Sequence, residues 1–305
     1  MSETVFSSEI INSVTVWKKE RASHLKQALS CLIPQEDIDS ALDTKAGFAI
    51  AHHWVYSANE ISKKQDSHSL QALHDSINAF LANREKTSFS KKNADHPEGN
   101  LGNAGVYLLT NRNSILDVPE LPQAILDETE IFLSNFPDWT VLKAGQGINL
   151  YLDYRTMDDS LSGYSISSFP CTQYLDWTDS GLRNAENIVH EAAHSYLNML
   201  LKALNLPSKV KSKQMWYSPW RDEERPCTGI IHGAFAFSIV FRFFDYYRKQ
   251  HDLKVLSKKQ LQYCDDRCQF ELSRLKIVKE SLDEALQEYG SPEIGTLVRN
   301  IFPNG

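Results

Sequence analysis

Apolar positions recur at helical spacing along most of the chain. From about Ser8 to Leu32 apolar and charged residues alternate with that period until Pro34 ends the run. A second helix is expected over Ile38 to Ser57, and a third from about Ser69 to Arg84 with Leu70, Leu73, Ile77 and Leu81 as its stripe. Lys86 to Gly105 is polar, holds Pro97 and three glycines, and reads as a linker. The pattern then shortens. Val106 to Thr110 reads as a strand, Leu121 to Phe136 as a helix closed by Pro137, and Ile148 to Tyr154 alternates like a strand. Tyr164 to Trp177 reads as a strand interrupted by Pro170. Three longer helices follow: about Asn184 to Asn205, Thr228 (as N-cap) to about Gln250, and Lys258 to Glu288 ending at Gly290.

Composition narrows the class. With 305 residues, 42% hydrophobic and 23% charged, the chain can bury a sizeable core. A net charge of −7 gives no basic excess for nucleic acid or an anionic membrane. The start lacks a signal-peptide pattern, and the longest apolar stretch, Gly229 to Val240, is too short to span a bilayer, so a cytoplasmic protein is expected. Five cysteines form no disulfide framework. Cys264 and Cys268 stand at i, i+4, where helix packing accounts for them better than metal binding. Adjacent His52 and His53 point to different helix faces and read as structural.

The chemistry concentrates in Ile188-Val189-His190-Glu191-Ala192-Ala193-His194. On a helix His190 and His194 share one face, one turn apart, and can converge on one ion roughly 2.0–2.1 Å from each nitrogen. Glu191 lies beside them, placed to serve as a base for a metal-bound water. Two histidines do not hold a catalytic ion, so a third ligand is needed. His232, near the start of an apolar helix, is the strongest candidate, with Glu223 and Glu224 as rivals in what looks like a solvated acidic loop. Arg221 and Arg225, flanked by Trp220 and Pro226, can each clamp a carboxylate, or simply pair with neighbouring acids.

Val189-His190-Glu191-x-x-His194, followed by Ser218-Pro219-Trp220-Arg221-x-x-x-Arg225-Pro226-x-x-Gly229-x-x-His232-Gly233-x-Phe235-x-Phe237, resembles the HExxH-motif proteins associated with peptide modification. Members occur in bacterial gene clusters for ribosomally made, post-translationally modified peptides. The family includes iron- and 2-oxoglutarate-dependent enzymes that hydroxylate the β-carbon of residues in a precursor peptide. The likeness covers about residues 160 to 245 and leaves the first 105 without a motif.

The resemblance implies His190, His194 and His232 as Fe(II) ligands and Arg221 or Arg225 as the anchor of a 2-oxoglutarate carboxylate. It departs from the usual pattern of two His and one carboxylate. A 2-oxoglutarate dianion chelating the ion would supply the missing negative charge. Glu191 then orients a ligand or a water. The implied partners are the precursor peptide, lying along an edge strand near Tyr164 to Trp177, and, where leader recognition is supplied separately, a leader-recognition protein. The competing readings are a zinc metallopeptidase with Glu191 as general base, and a non-catalytic peptide-binding subunit with a structural metal. The expected fold is α+β and mostly helical. It has a zincin-like core, a small sheet on the HExxH helix, an N-terminal helical region over 1–105, and a metal-binding catalytic domain over 106–305.

Overall fold

The computed structural model describes residues 5–65, 67–82, 88–90, 122–156, 159–250 and 256–303. The fold is mostly helical with a small mixed sheet, an α+β architecture. Both the strand expected at Val106–Thr110 and the boundary at residue 105 fall outside the described residues.

Four helices open the chain: α1 Ser8–Leu29, α2 Gln35–Leu42, α3 Lys45–Lys64 and α4 Ser67–Ala82. The single helix expected over Ile38 to Ser57 is two. Thr44 caps α3 by accepting the Gly47 N–H at 2.9 Å. The chain bends so sharply there that a Cβ on Gly47 would lie 1.8 Å from the Ala41 carbonyl oxygen. An apolar pattern continuous across the bend conceals it, because both helices bury the same side. Of the stripe on α4, Leu73 and Ile77 are fully buried, while Leu70 is exposed.

The sheet runs in the order β1 (Ser88–Ser90), β2 (Ile148–Tyr154), β4 (Thr172–Trp177), β3 (Gly163–Ser165). The first three strands are parallel, and β3 is an antiparallel edge strand in register Tyr164 opposite Tyr174. The segment read as one interrupted strand is therefore a hairpin. The chain reverses between Ile166 and Cys171, and Cys171 takes a left-handed backbone at φ 64°. Helices α5 (Gln123–Asn135) and α6 (Trp139–Leu142) lead into β2.

Helix α7, Gly181–Ala203, is the centre of the molecule, buried along almost its whole length. It packs on α1, α5, β3 and β4, and on α8, Cys227–Lys249. Between α7 and α8 stands the hairpin β5 (Trp216–Ser218) and β6 (Glu223–Arg225). Helix α8 begins one residue before the N-cap expected at Thr228. Pro226 is the cap residue, and the Ser212 hydroxyl, far away in sequence, accepts the Cys227 N–H at 2.8 Å. At 23 residues α8 is long and apolar enough to cross a membrane, which the Gly229–Val240 stretch by itself is not. Most of it is buried against protein, on α7 and on α9, Lys258–Tyr289. After Gly290 (φ 78°) a further helix, α10 Pro292–Ile301, starts from Ser291 with Pro292 in its first turn.

One buried core joins the N-terminal helices to the rest. Phe6 meets Tyr196 of α7 edge-on at 5.3 Å. His52 and His53 are both structural. His52 donates from Nδ1 to the Phe48 carbonyl at 2.8 Å and accepts from Arg21 Nε at 3.0 Å, which makes it neutral. His53 stacks on Phe169 at 4.3 Å, and its Nε2 meets the Thr172 hydroxyl of β4 at 2.9 Å. Burial lowers both imidazoles to about 3.

A folded-state value below the unfolded one means that the unfolded chain takes up more protons in acid. Stability is thus retained above the unfolded histidine value of about 6.5 and falls as pH drops towards 3. Each group is expected to remove about 2 kcal/mol between pH 7 and 5. Urea midpoints at the two pH values measure this, and His53→Gln should shrink the difference.

Candidate functional site

The site lies where α7, α8, α9, β3 and the β5–β6 hairpin meet around a cavity of about 1160 Å³. The six residues that the resemblance implicates line it: His190, Glu191 and His194 from α7, Arg221 and Arg225 from the hairpin, and His232 from α8. The rival carboxylates do not. Glu223 and Glu224 are exposed on β6, and Glu223 is occupied by Arg225 at 2.7 Å. Cys264 and Cys268 are buried in α9, where burial raises both thiols to about 12, so they act as small core residues.

One turn of α7 brings His190 Nε2 and His194 Nε2 to 3.1 Å, with the rings nearly perpendicular at 4.7 Å between centroids. Two imidazole nitrogens bound to one ion at roughly 2.0–2.1 Å sit about 2.9–3.4 Å apart, so this pair has ligating geometry. The His232 ring lies 5.8 Å from that of His194, at 20°. A closed set of three imidazoles would bring ring centroids to about 4.5–5.2 Å. Among the described residues no group of three His, Cys, Asp or Glu side chains is placed to hold a metal ion, so the structure pairs His190 with His194 and leaves His232 outside a closed set.

Burial sets the protonation of these groups. It lowers His190 and His232 to about 4 and His194 well below the usual imidazole value. The charges of Arg267 and Arg221 reinforce this at His190, and that of Arg225 at His232. All three present neutral nitrogens, the form that binds metal. Glu191 is buried, with Oε1 3.9 Å from His190 Nε2. Burial raises its carboxyl to about 8, against the opposing pull of the Ser165 hydroxyl and the Arg221 charge. Its Oε2 has no hydrogen-bond partner among the described residues. An orphaned carboxyl oxygen beside two metal-competent imidazoles fits a polar ligand in the cavity.

Two glycines one turn apart explain part of the sequence pattern. A Cβ on Gly229 would come within 3.0 Å of Arg225 Nε, and one on Gly233 within 3.3 Å of the Trp220 ring. The hairpin residues therefore lie directly on α8. Trp220 stacks on Phe237 at 4.6 Å and 5°, and Phe237 meets the His190 ring at 4.6 Å. The indole N–H of Trp220 donates to Glu271 Oε2 at 2.9 Å. Glu271, wholly buried in α9, also pairs with Arg267 at 2.8 Å, and Arg267 with Glu186 of α7. This chain of contacts ties the hairpin to both long helices.

The two arginines differ in state. Arg225 is engaged by Glu223, an ion pair at the surface. The Arg221 guanidinium makes no hydrogen bond or ion pair among the described residues, although its charge acts on His190, His194 and Glu191. Sequence reasoning missed Gly163, whose Cβ would fall 2.6 Å from Asn187 Oδ1 and 2.9 Å from Glu191 Oε1. Edge strand β3 thus rests on the HExxH helix. The α9 residues at the mouth were also missed, since α9 reads simply as an amphipathic helix. Neither the protein-family models nor the curated proteins compared with this chain contain a match.

Gly163→Ala drives a methyl group into Asn187 and Glu191 and is expected to cost about 1–3 kcal/mol. Gly295→Ala should be neutral or stabilising, because only the flexible end of Arg299 lies near, at 3.3 Å. Thermal melting of the two variants checks the contrast.

Proposed function

We propose that this chain is an Fe(II)- and 2-oxoglutarate-dependent hydroxylase, built on a zincin-like core and acting in the cytoplasm. Its substrate is a ribosomally made precursor peptide, hydroxylated at the β-carbon of one residue. The observation that carries this reading is the paired, neutral imidazoles of His190 and His194 sharing one cavity with the unpaired guanidinium of Arg221. An exposed arginine that lines the cavity, with no carboxylate of its own among the described residues, can receive one from a ligand. Arg225, held by Glu223, is the poorer choice.

In this reading His190, His194 and His232 would hold the iron, which would supply the redox chemistry of the hydroxylation. Overall, 2-oxoglutarate, dioxygen and a peptide C–H bond become succinate, carbon dioxide and a peptide C–OH group. Arg221 would receive a carboxylate of 2-oxoglutarate. Trp220 and Phe237 wall the imidazoles from water on the hairpin side. The substrate backbone is offered β3. Because the Asp176 N–H donates to the Ser162 carbonyl at 2.9 Å, the Tyr164–Tyr174 pair is the hydrogen-bonded one. The backbone groups of Gly163 and Ser165 then point away from β4, towards an added strand.

One observation favours a second reading. The unpartnered Oε2 of Glu191 is what a zinc metallopeptidase needs in its general base. One experiment separates the two. Protein purified without oxygen is mixed with Fe(II), 2-oxoglutarate and candidate peptides and then exposed to air. Succinate with a mass gain of one oxygen on the peptide is expected, whereas peptide cleavage with zinc would replace this proposal by the peptidase. For the hydroxylase, Arg221→Ala should raise the KM for 2-oxoglutarate by about 30-fold or more, and Arg225→Ala by less than about threefold. The reverse order would reassign the anchor.

A further inference from the structure

The cavity mouth holds more positive charge than the proposed chemistry uses. Six cationic side chains line the cavity against four carboxyls, in a chain whose net charge is −7. Arg267 is neutralised by Glu186 and Glu271 and Arg225 by Glu223, while Arg183 donates to the Thr156 and Asp159 carbonyls. Arg221 is taken by the diacid. Arg274 and Lys209 remain, and neither makes an ion pair among the described residues.

Arg274 is positioned although unpaired. Its guanidinium lies 3.8 Å from the centre of the Phe270 ring, one turn earlier on α9. Phe270 itself lines the cavity and is 43% exposed. Ile277 continues the same helix face and is exposed, and Tyr217 and Met215 of the neighbouring hairpin segment are exposed too. Tyr217 is near enough for the Arg274 charge to act on its phenol. A cation held on an exposed ring is therefore set in a partly apolar ledge beside a charged cavity, where its charge acts on Glu271 and the Tyr217 phenol donates to Asp222 at 2.8 Å. A cavity of roughly 300–1,000 Å³ already serves a drug-sized ligand, so a five-carbon diacid leaves most of this one free.

We propose that Arg274, seated on Phe270 at the cavity mouth, docks an acidic side chain of an extended peptide, with Lys209 adding to the attraction. This rests on reading the cavity as a peptide-modifying site and names the substrate class: peptides with Asp or Glu near the modified residue. The apolar ledge favours a peptide over a small anion, and the acidic remainder of the chain repels nucleic acid.

The test is binding, without iron or 2-oxoglutarate, so that it stands apart from the hydroxylase assay. Fluorescence anisotropy of the full chain is measured with a labelled peptide of five Gly-Glu repeats, its Gly-Gln counterpart, and a ten-nucleotide oligothymidylate. At low salt the acidic peptide should bind about tenfold tighter than the amide peptide, a preference that 300 mM salt reduces. Arg274→Glu should abolish the preference and Arg274→Gln weaken it, with melting temperatures unchanged. Lys279→Glu, the same charge change on an exposed part of α9 away from the cavity, should leave the preference intact. The proposal fails if the two peptides bind alike, if Lys279→Glu matches Arg274→Glu, or if the oligonucleotide binds more tightly than the acidic peptide. Loss of hydroxylation with the preference retained would count against the hydroxylase alone.

Discussion

The organising constraint is the desolvation of α7. A helix buried on almost every side must satisfy or neutralise each polar group it carries, and this one carries His190, Glu191 and His194 at the level of the cavity. Burial meets the constraint by holding the imidazoles neutral and the carboxyl protonated up to about 8. The same condition brings two neutral imidazoles together, Nε2 to Nε2 at 3.1 Å. The packing around α7 follows from it: glycines where β3 and the hairpin must come close, and aromatic rings where water must be kept out.

The second tier is electrostatic. Arg267 is divided between Glu186 and Glu271, one from each side, and Glu271 in turn receives the Trp220 indole N–H. Breaking a buried network of this kind strands a charge, so it fixes geometry more than it adds stability. Here it fixes the hairpin that carries Arg221 relative to the helix that carries the histidines. A guanidinium without a carboxylate among the described residues and a pair of neutral imidazoles thereby occupy one cavity. The acidic balance of the rest of the surface makes that cavity a local positive exception, the arrangement that concentrates an anionic ligand.

Much of the architecture was legible along the chain because helices bury stripes. The ends of α1, α5, α7 and α9 follow from periodicity and from Pro34, Pro137, Pro207 and Gly290. Errors arose where a tertiary contact overrode a local pattern. Gly47 lets α2 and α3 cross at a corner that apolar periodicity runs straight through. Ser212 caps α8 from fifteen residues away, so the start of α8 had no local mark. The hairpin of β3 and β4 reads as one strand because both halves alternate with the same period.

For the site, the HExxH spacing alone determined that His190 and His194 face the same way, since one helical turn permits nothing else. The residue types also nominated His232, Arg221 and Arg225. Only the tertiary structure decided which acid pairs with which arginine, leaving Arg221 and Arg274 without one among the described residues. It alone set Gly163 against Glu191 and Phe270 beneath Arg274. The reason is the range of the forces involved. Backbone hydrogen bonding repeats over a few residues and is written locally, whereas charge pairing and burial depend on neighbours that the sequence holds more than a hundred positions apart, as Arg242 and Asp138 are.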